Sequence, residues 1–204
     1  MSPHSWTAFA LVAVLVSLLP GPAVIAVVST ALRRGFRASL ATNAGVLVGD
    51  AVFVAAAAFG LGAILVASHG VFVAVKWIGI AYLAYLGLRA LLDRGSPLAA
   101  GAASVAIERR AFRLGLATQL ANPKVILFFG ALLPQFVDPA RAAAPQFVLL
   151  GATFIVSDLL VFAAYGALAH RTRVLLKDPR AARVASRITG AVMLGAAARL
   201  AAER

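Results

Sequence analysis

The sequence predicts an all-α integral membrane protein, whose six transmembrane helices form two inverted three-helix repeats with helices 1 and 4 broken. Three observations lead to this fold class. Of the 204 residues, 62% are apolar and 13% are charged, about half of the roughly 25% charge of ordinary soluble domains. Basic residues fall mainly between alternate apolar runs, and prolines interrupt two of those runs. Together these features are typical of a membrane protein with broken helices.

The apolar runs give six candidate spans. A helix needs about 20 apolar residues to cross roughly 30 Å of hydrocarbon. The candidate spans, in chain order, are 6–28, 40–66, 71–92, 114–136, 145–169 and 187–201. The last has the shortest apolar core, so an interfacial helix after five spans is the alternative. We predict one transmembrane domain over 1–204, with repeat halves at about 1–93 and 113–204 and a cytoplasmic linker at 94–112.

Basic residues mark the odd-numbered loops. They are Arg33, Arg34, Arg37, Arg94, Arg109, Arg110, Arg113, Arg171, Arg173, Lys177, Arg180 and Arg183. The even loops hold Arg141 and His69. By the positive-inside rule the odd loops face the cytoplasm, which predicts an N-terminus on the outer side of the membrane. The net charge of +12 therefore reflects topology. A nucleic-acid-binding patch is the disfavoured alternative, and we predict no nucleic-acid partner.

Two proline breaks interrupt apolar runs. Pro20-Gly21-Pro22 lies in the first span and Asn122-Pro123 in the fourth. Proline lacks a backbone donor, clashes with the preceding turn and pushes the residue before it from helical angles. We expect Pro22 and Pro123 to begin new half-helices, with Asn122 capping the second. The free N–H groups at both half-helix starts would favour an anion such as a carboxylate. Plain proline kinks are the alternative.

An internal repeat supports the two-fold arrangement. Pro22 corresponds to Pro123, Asp50 to Asp158, and Lys76-Trp77-Ile78-Gly79 to Arg187-Ile188-Thr189-Gly190. The offset grows along the chain, as loops of unequal length require. Three spans in each half would make the halves inverted in the membrane, an arrangement common in secondary transporters. Chance matching in so apolar a chain is the alternative.

Three charged residues lie deep inside the predicted spans. Asp50, Asp158 and Lys124 would each be unfavourable by about 2.5–3.5 kcal/mol at a helix centre, so they need partners or a water-filled cavity. Asn43 lies on the same helix face as Asp50. Carboxyl groups at this depth are candidate proton carriers. A static ion pair between Lys124 and one aspartate is the alternative.

A stripe of small residues runs beside Asp50. Ala41, Gly45 and Gly49 share one face of the second span, where another helix can approach closely. We therefore expect Asp50 to point into the helix bundle.

No catalytic or cofactor chemistry is predicted. The chain has no cysteine, and its three histidines lie at span ends without metal-ligand spacing. No phosphate-binding loop or nucleophile elbow appears in a suitable context. We predict no cofactor, no metal, no catalytic residue and no enzymatic activity.

The motifs resemble the lysine exporter (LysE/RhtB) family of bacterial amino-acid exporters. The resemblance rests on Leu19-Pro20-Gly21-Pro22, Arg34-Gly35, Gly45 to Gly49-Asp50, Lys76-x-x-Gly79-x-x-Tyr82-Leu83-x-x-x-Gly87, Asn122-Pro123-Lys124, Phe128-Phe129 and Pro134-Gln135-Phe136. It covers nearly the whole chain. It implies a small inner-membrane exporter of amino acids or their derivatives, driven by the proton gradient and dimeric. Ala23 stands where many members carry a polar residue, often Asn.

The predicted function is secondary active export of an amino acid by proton antiport. Candidate substrate-binding residues lie at the breaks or beside them: Pro20, Gly21, Pro22, Asn43, Asn122, Pro123 and Lys124. The backbone N–H groups there, with Lys124, would hold the substrate carboxylate. Asp50 and Asp158 are the proton-coupling candidates, and would bind the exchanged proton or the substrate ammonium. The expected partners are the amino acid, membrane lipid and a second copy of the chain.

Two alternatives stay open at this point. Export of a metal cation or another small solute could use the two carboxylates, although two are few for a hard metal ion. A membrane enzyme or a non-transporting membrane subunit is the other. The lack of a nucleophile paired with a base argues against an enzyme. The cost of burying charged residues that serve no function argues against a non-transporting subunit.

Overall fold

The computed structural model describes residues 1–59 and 105–172, together with separate helical positions between 70 and 92 and between 187 and 201. The described segments are helical throughout apart from short turns. The predicted spans at 71–92 and 187–201 lie largely outside the described residues, as does most of the repeat match between Lys76–Gly79 and Arg187–Gly190.

The first span is broken where prolines predict it. Helix α1 covers Pro3–Leu18 and helix α2 covers Pro22–Arg34, and their axes differ by 54°. Pro22 begins α2, as predicted, because a missing N–H is harmless in the first turn. The pair reaches beyond the predicted 6–28. Arg33 and Arg34 belong to the last turn of α2 and not to a loop, a position where basic residues stabilise the helix C-terminus.

A single glycine connects α2 to the next helix. Gly35 has φ 91°, in the region that side chains other than glycine disfavour. Helix α3 then covers Phe36–Ala58. It begins before the predicted 40–66, because Arg37 is accommodated in its first turn, and it ends earlier than predicted, at Ala58.

The second break follows helix α4, which covers Val105–Leu120. Helix α5 covers Pro123–Leu127, and continues as a π-helical turn over Phe128–Leu132 and a 3-10 turn over Leu133–Phe136. The bend at this break is 52°. Asn122 is the N-cap residue, as predicted, and its carbonyl accepts from the N–H groups of Val125 and Ile126.

The segment predicted as a linker at 94–112 is helical over its last part. Residues 105–112 are helical, and Arg109, Arg110 and Arg113 lie exposed on α4. Charged residues there mark the end of the apolar core and not the end of the helix, since arginine is a good helix former. Helix α6 similarly covers Ala143–Thr172, beyond the predicted 145–169.

Close packing of α3 on α4 confirms the role expected of the small-residue stripe. A Cβ atom added to Gly45 would overlap the carbonyl oxygen of Phe112, and one added to Gly115 would overlap that of Thr42. A Cβ on Gly49 would come within 2.9 Å of the Gln119 side chain. Because residue numbers rise together along both helices, α3 and α4 run parallel.

Helix α6 lies between the other elements. It is antiparallel to α3, with Phe36 near His170 at one end and Val54 against Gly151 at the other. It is parallel to α1, where the Trp6 indole donates to the Thr153 hydroxyl at 3.0 Å. Within the described residues, α3 and α6 are each long and apolar enough to cross a membrane, and each bent pair can count as one further span.

Candidate functional site

The two breaks lie side by side. Lys124, in the first turn after the second break, donates to the carbonyl oxygens of Val16 at 2.9 Å and Leu19 at 3.3 Å. These carbonyls belong to the end of α1, where the break interrupts the regular helical bonds, and the Val16 carbonyl also accepts from the Leu19 N–H at 3.2 Å. The Tyr165 hydroxyl donates to the Leu18 carbonyl at 3.0 Å. Side chains from α5 and α6 thus donate to the carbonyls at the end of α1.

A buried chain of hydrogen bonds connects the two broken spans. We call it the central cluster, and its members are Ser17, Asp158, Asp50, Gln119 and Asn122. The Ser17 hydroxyl donates to Asp158, and the Gln119 amide donates to Asp50. The two carboxyl groups lie close enough for each to influence the other electrostatically. Asn122 Nδ2 donates to Gln119 Oε1 at 3.2 Å.

The donors are arranged crosswise between the two halves of the chain. Ser17 lies on α1 and bonds Asp158 in the second half, whereas Gln119 lies on α4 and bonds Asp50 in the first half. Each donor stands about one helical turn before a break. Each aspartate therefore depends on the broken helix of the opposite half.

The central cluster is closed to solvent in this conformation. The exposed fractions are 0% for Asp50 and Gln119, 1% for Asn122 and 2% for Asp158. Two apolar clusters lie on either side of it along α1–α2, α3 and α6. The aromatic cluster is built around Phe9, Phe128, Phe129 and Phe154. The valine cluster comprises Ala23, Val24, Val27, Val46 and Phe162.

Buried acceptors in and near the central cluster have no donor among the described residues. They are Asp50 Oδ2, Asn122 Oδ1, Asn43 Oδ1 and, outside the cluster, the Thr118 hydroxyl oxygen. A buried acceptor left without a donor is unfavourable by about 1–3 kcal/mol. The central cluster therefore has spare capacity to accept hydrogen bonds, which suits a ligand that donates them.

The predicted site residues fall at different places. Pro22 is buried at the start of α2, Gly21 is half-buried, and Pro20 is exposed outside the central cluster. Pro123 begins α5. Asn43 is buried on α3, two helical turns before Asp50. Its Nδ2 donates to the Leu159 carbonyl at 3.2 Å.

Two of these residues behave differently from the prediction. The Asn122 side chain makes no capping bond to α5 and instead bonds Gln119. Within the described residues Lys124 forms no ion pair with either aspartate. Its ammonium instead binds the end of α1. Its charge still attracts both carboxylates across the site.

Sequence reasoning missed Ser17 and Gln119. A polar residue one turn before a proline break was the available signal, since such a residue can reach the gap that the break opens. No group of three or more His, Cys, Asp or Glu that could hold a metal occurs in the described part of the chain.

The chain is similar to a family of translocators and to several membrane proteins. The family model described as LysE type translocator matches residues 14–204. An uncharacterized membrane protein of Vibrio cholerae is 36% identical over 196 residues, which cover 96% of this chain and 95% of the relative. A homoserine/homoserine lactone efflux protein of Salmonella typhimurium is 32% identical over 199 residues, covering 98% and 97%.

A leucine efflux protein of an Enterobacter species is 31% identical over 208 residues, covering 96% of this chain and 94% of the relative. No solved structure matches the chain. The matched proteins with named activities move solutes, which agrees with the prediction that the chain is not an enzyme.

Proposed function

The chain belongs to the family of LysE type translocators, and from this we propose that it exports amino acids or amino-acid derivatives across the bacterial inner membrane by proton antiport. The observation that carries the proposal is the buried contact between Asp50 and Asp158 where the two broken spans meet.

The aspartate pair suits proton exchange. Two neighbouring carboxylates repel each other when both are ionised, so protonation of one of them stabilises the pair. A substrate cation on the same side chains would replace that proton. Carboxyl groups at this depth in membrane proteins commonly belong to proton relays. Asp50 and Asp158 are therefore the coupling residues in this proposal.

The relatives suggest which chemical group of the substrate is recognised. Their names give homoserine, homoserine lactone and leucine as exported solutes. These molecules share an amino group, whereas the lactone has no free carboxylate. Acceptors in the central cluster match an ammonium group, which only donates. In this proposal the half-helix starts at Gly21-Pro22 and Asn122-Pro123, together with Lys124, hold the carboxylate of those substrates that have one.

The transport cycle follows from the two apolar clusters. The central cluster is closed on both sides, so export requires the aromatic and valine clusters to separate in turn. The crosswise bonds of Ser17 and Gln119 support two inverted halves that rock about the aspartates. Parallel packing of α3 and α4 supports a return crossing between them. The proposal takes six spans with a periplasmic N-terminus, as the distribution of basic residues predicts.

Purified protein in proteoliposomes tests the proposal. Vesicles loaded with L-leucine or L-homoserine should release it faster when the outside is made acidic, and an internal pH dye should report proton entry. Asp50→Asn and Asp158→Asn should abolish this response. Asp138→Asn is the matched control, because Asp138 lies in the loop before α6 and pairs with Arg141 at 3.4 Å.

Each contrary result removes a different part of the proposal. If both Asn variants exchange protons for amino acid at the wild-type rate, the coupling residues are wrong. If the wild type moves no amino acid but exchanges a divalent metal, the metal-export alternative takes its place. A wild type that moves neither leaves the helper-subunit alternative.

A further inference from the structure

We propose that Gln119 is a positioning residue, which sets the hydrogen-bond polarity of Asn122 according to the charge of Asp50. In this arrangement Asp50 and Asn122 bind the ammonium group of the substrate only while Asp50 is ionised. The inference rests on the proposed function, because it assigns the amino group and the proton of that exchange to particular atoms.

The direction of the hydrogen bonds from Asn122 through Gln119 to Asp50 follows from the chemistry of Asp50. An ionised carboxylate only accepts hydrogen bonds, so Gln119 presents its Nε2 to Asp50. The Oε1 of Gln119 then faces Asn122, whose Nδ2 donates to it at 3.2 Å. Asn122 is left with Oδ1, which has no donor in the described part of the chain. When Asp50 is ionised, the group of Asn122 that remains without a hydrogen-bond partner is therefore an acceptor.

Two acceptors therefore stand free at the two ends of one glutamine side chain. They are Asp50 Oδ2 and Asn122 Oδ1, on residues with exposed fractions of 0% and 1%. An ammonium group has three donors and no acceptor, so its chemistry matches oxygens that lack a donor. Hard divalent ions require about six or more oxygen ligands, more than this pair supplies. These two acceptor oxygens therefore favour an ammonium over a metal ion.

Protonation of Asp50 reverses the direction of the hydrogen bonds from Asp50 through Gln119 to Asn122. The new O–H donates to Gln119 Oε1, so the Gln119 amide turns and its Nε2 donates to Asn122 Oδ1. The group left free on Asn122 is then Nδ2, a donor that cannot bind an ammonium. The charged groups that face Asp50 are Asp158 on α6 and Lys124 on α5, while α4 contributes the neutral Gln119. One O–H bond forms, and the bound ammonium is released.

The test is the pH dependence of binding by the full-length protein in lipid nanodiscs. The probes are L-leucine or L-homoserine, whichever the wild type exports, and the matching α-hydroxy acid, which has no ammonium. The wild type should prefer the amino acid by roughly tenfold or more at neutral pH, and should lose this preference as the pH falls. Gln119→Leu keeps a similar volume without an amide, and should reduce that pH response to less than about twofold.

A purely structural role for Gln119 would lower the yield of folded protein without changing the pH profile. Thr118→Val is the matched control, because it removes a buried hydroxyl beside Gln119 and leaves the chain of bonds intact. If Gln119→Leu does not fold, Gln119→Met gives the same information, because methionine also lacks the amide group that turns. Amino-acid binding by either variant should respond less to pH than binding by the wild type.

Two results overturn the inference while the exporter proposal survives. One is a wild-type pH profile in Gln119→Leu or in Gln119→Met. The other is equal affinity of the exporting wild type for the amino acid and its hydroxy analogue. By contrast, a wild type that neither binds nor moves amino acids removes the proposed function and this inference together.

Discussion

The ammonium nitrogen of Lys124 lies 2.9 Å from the carbonyl oxygen of Val16, so the first turn after one helix break binds the last turn before the other. The end of a helix carries unpaired carbonyls and partial negative charge. A lysine there stabilises that end and holds the two breaks together. Any conformational change that separates the breaks must therefore release Lys124 from α1.

Lys124→Met should destabilise the protein. Methionine keeps a similar length but cannot donate to Val16 or Leu19, and the loss of a hydrogen bond from a charged group is unfavourable by about 1.5–3 kcal/mol. A lower melting temperature in detergent should report the change. Lys124→Arg, which keeps the charge and the donors, should lose less. The control is Arg141→Met, because Arg141 is exposed. Equal melting temperatures for Lys124→Met and the wild type would contradict the assigned role.

Gly115→Ala should separate α3 from α4. The added methyl group would overlap the Thr42 carbonyl oxygen, which belongs to the backbone and cannot rotate away. Overpacking of this kind is unfavourable by about 1–3 kcal/mol. Thermal unfolding and the yield of folded protein in detergent measure it. Gly70→Ala is the matched control, since a Cβ there meets nothing within 4 Å. If both variants behave alike, the close contact of α3 with α4 is not present in the membrane.

The breaks could be predicted because their cause is local. A proline removes a donor at its own position, so Pro22 and Pro123 begin helices wherever the rest of the chain lies. Helix ends were harder to predict. Apolar runs report where hydrocarbon ends, while the helices continue through Arg34 and Arg109 because arginine is compatible with helix.

Hydrogen-bond partners could not be predicted in the same way. Asp50 and Asp158 could be placed at one depth from the sequence, but their contact depends on how α3 and α6 rotate about their axes. The roles of Ser17 and Gln119 depend on that rotation as well. Lys124 illustrates the limit, because its charge was evident from the sequence and its partners were not.

Ser17→Ala should weaken proton coupling more than stability. The Ser17 hydroxyl donates to Asp158. Its loss leaves that carboxylate with one fewer donor, which is unfavourable by about 1.5–3 kcal/mol when the carboxylate is ionised. The pH dependence of amino-acid efflux from proteoliposomes should shift toward alkaline pH, because removing a donor favours the protonated carboxyl. The matched control is Ser157→Ala, since Ser157 lies beside Asp158 but bonds the Thr153 carbonyl of its own helix at 2.9 Å. An unchanged pH profile in Ser17→Ala would show that Ser17 has no role in proton coupling.

Phe154→Ala should make the membrane leaky to protons as well as destabilise the fold. The Phe154 ring lies 4.5 Å from that of Phe128 and 5.0 Å from that of Phe129, centroid to centroid, and closes one side of the central cluster. Its removal leaves a cavity, unfavourable by about 3–5 kcal/mol, beside buried acceptors that can recruit water. Proteoliposomes with an internal pH dye should acidify without any amino acid present. Phe59→Ala is the control, because Phe59 is 82% exposed and its ring closes nothing. Proton-tight vesicles containing correctly folded Phe154→Ala would show that the aromatic cluster does not separate the aspartates from bulk water.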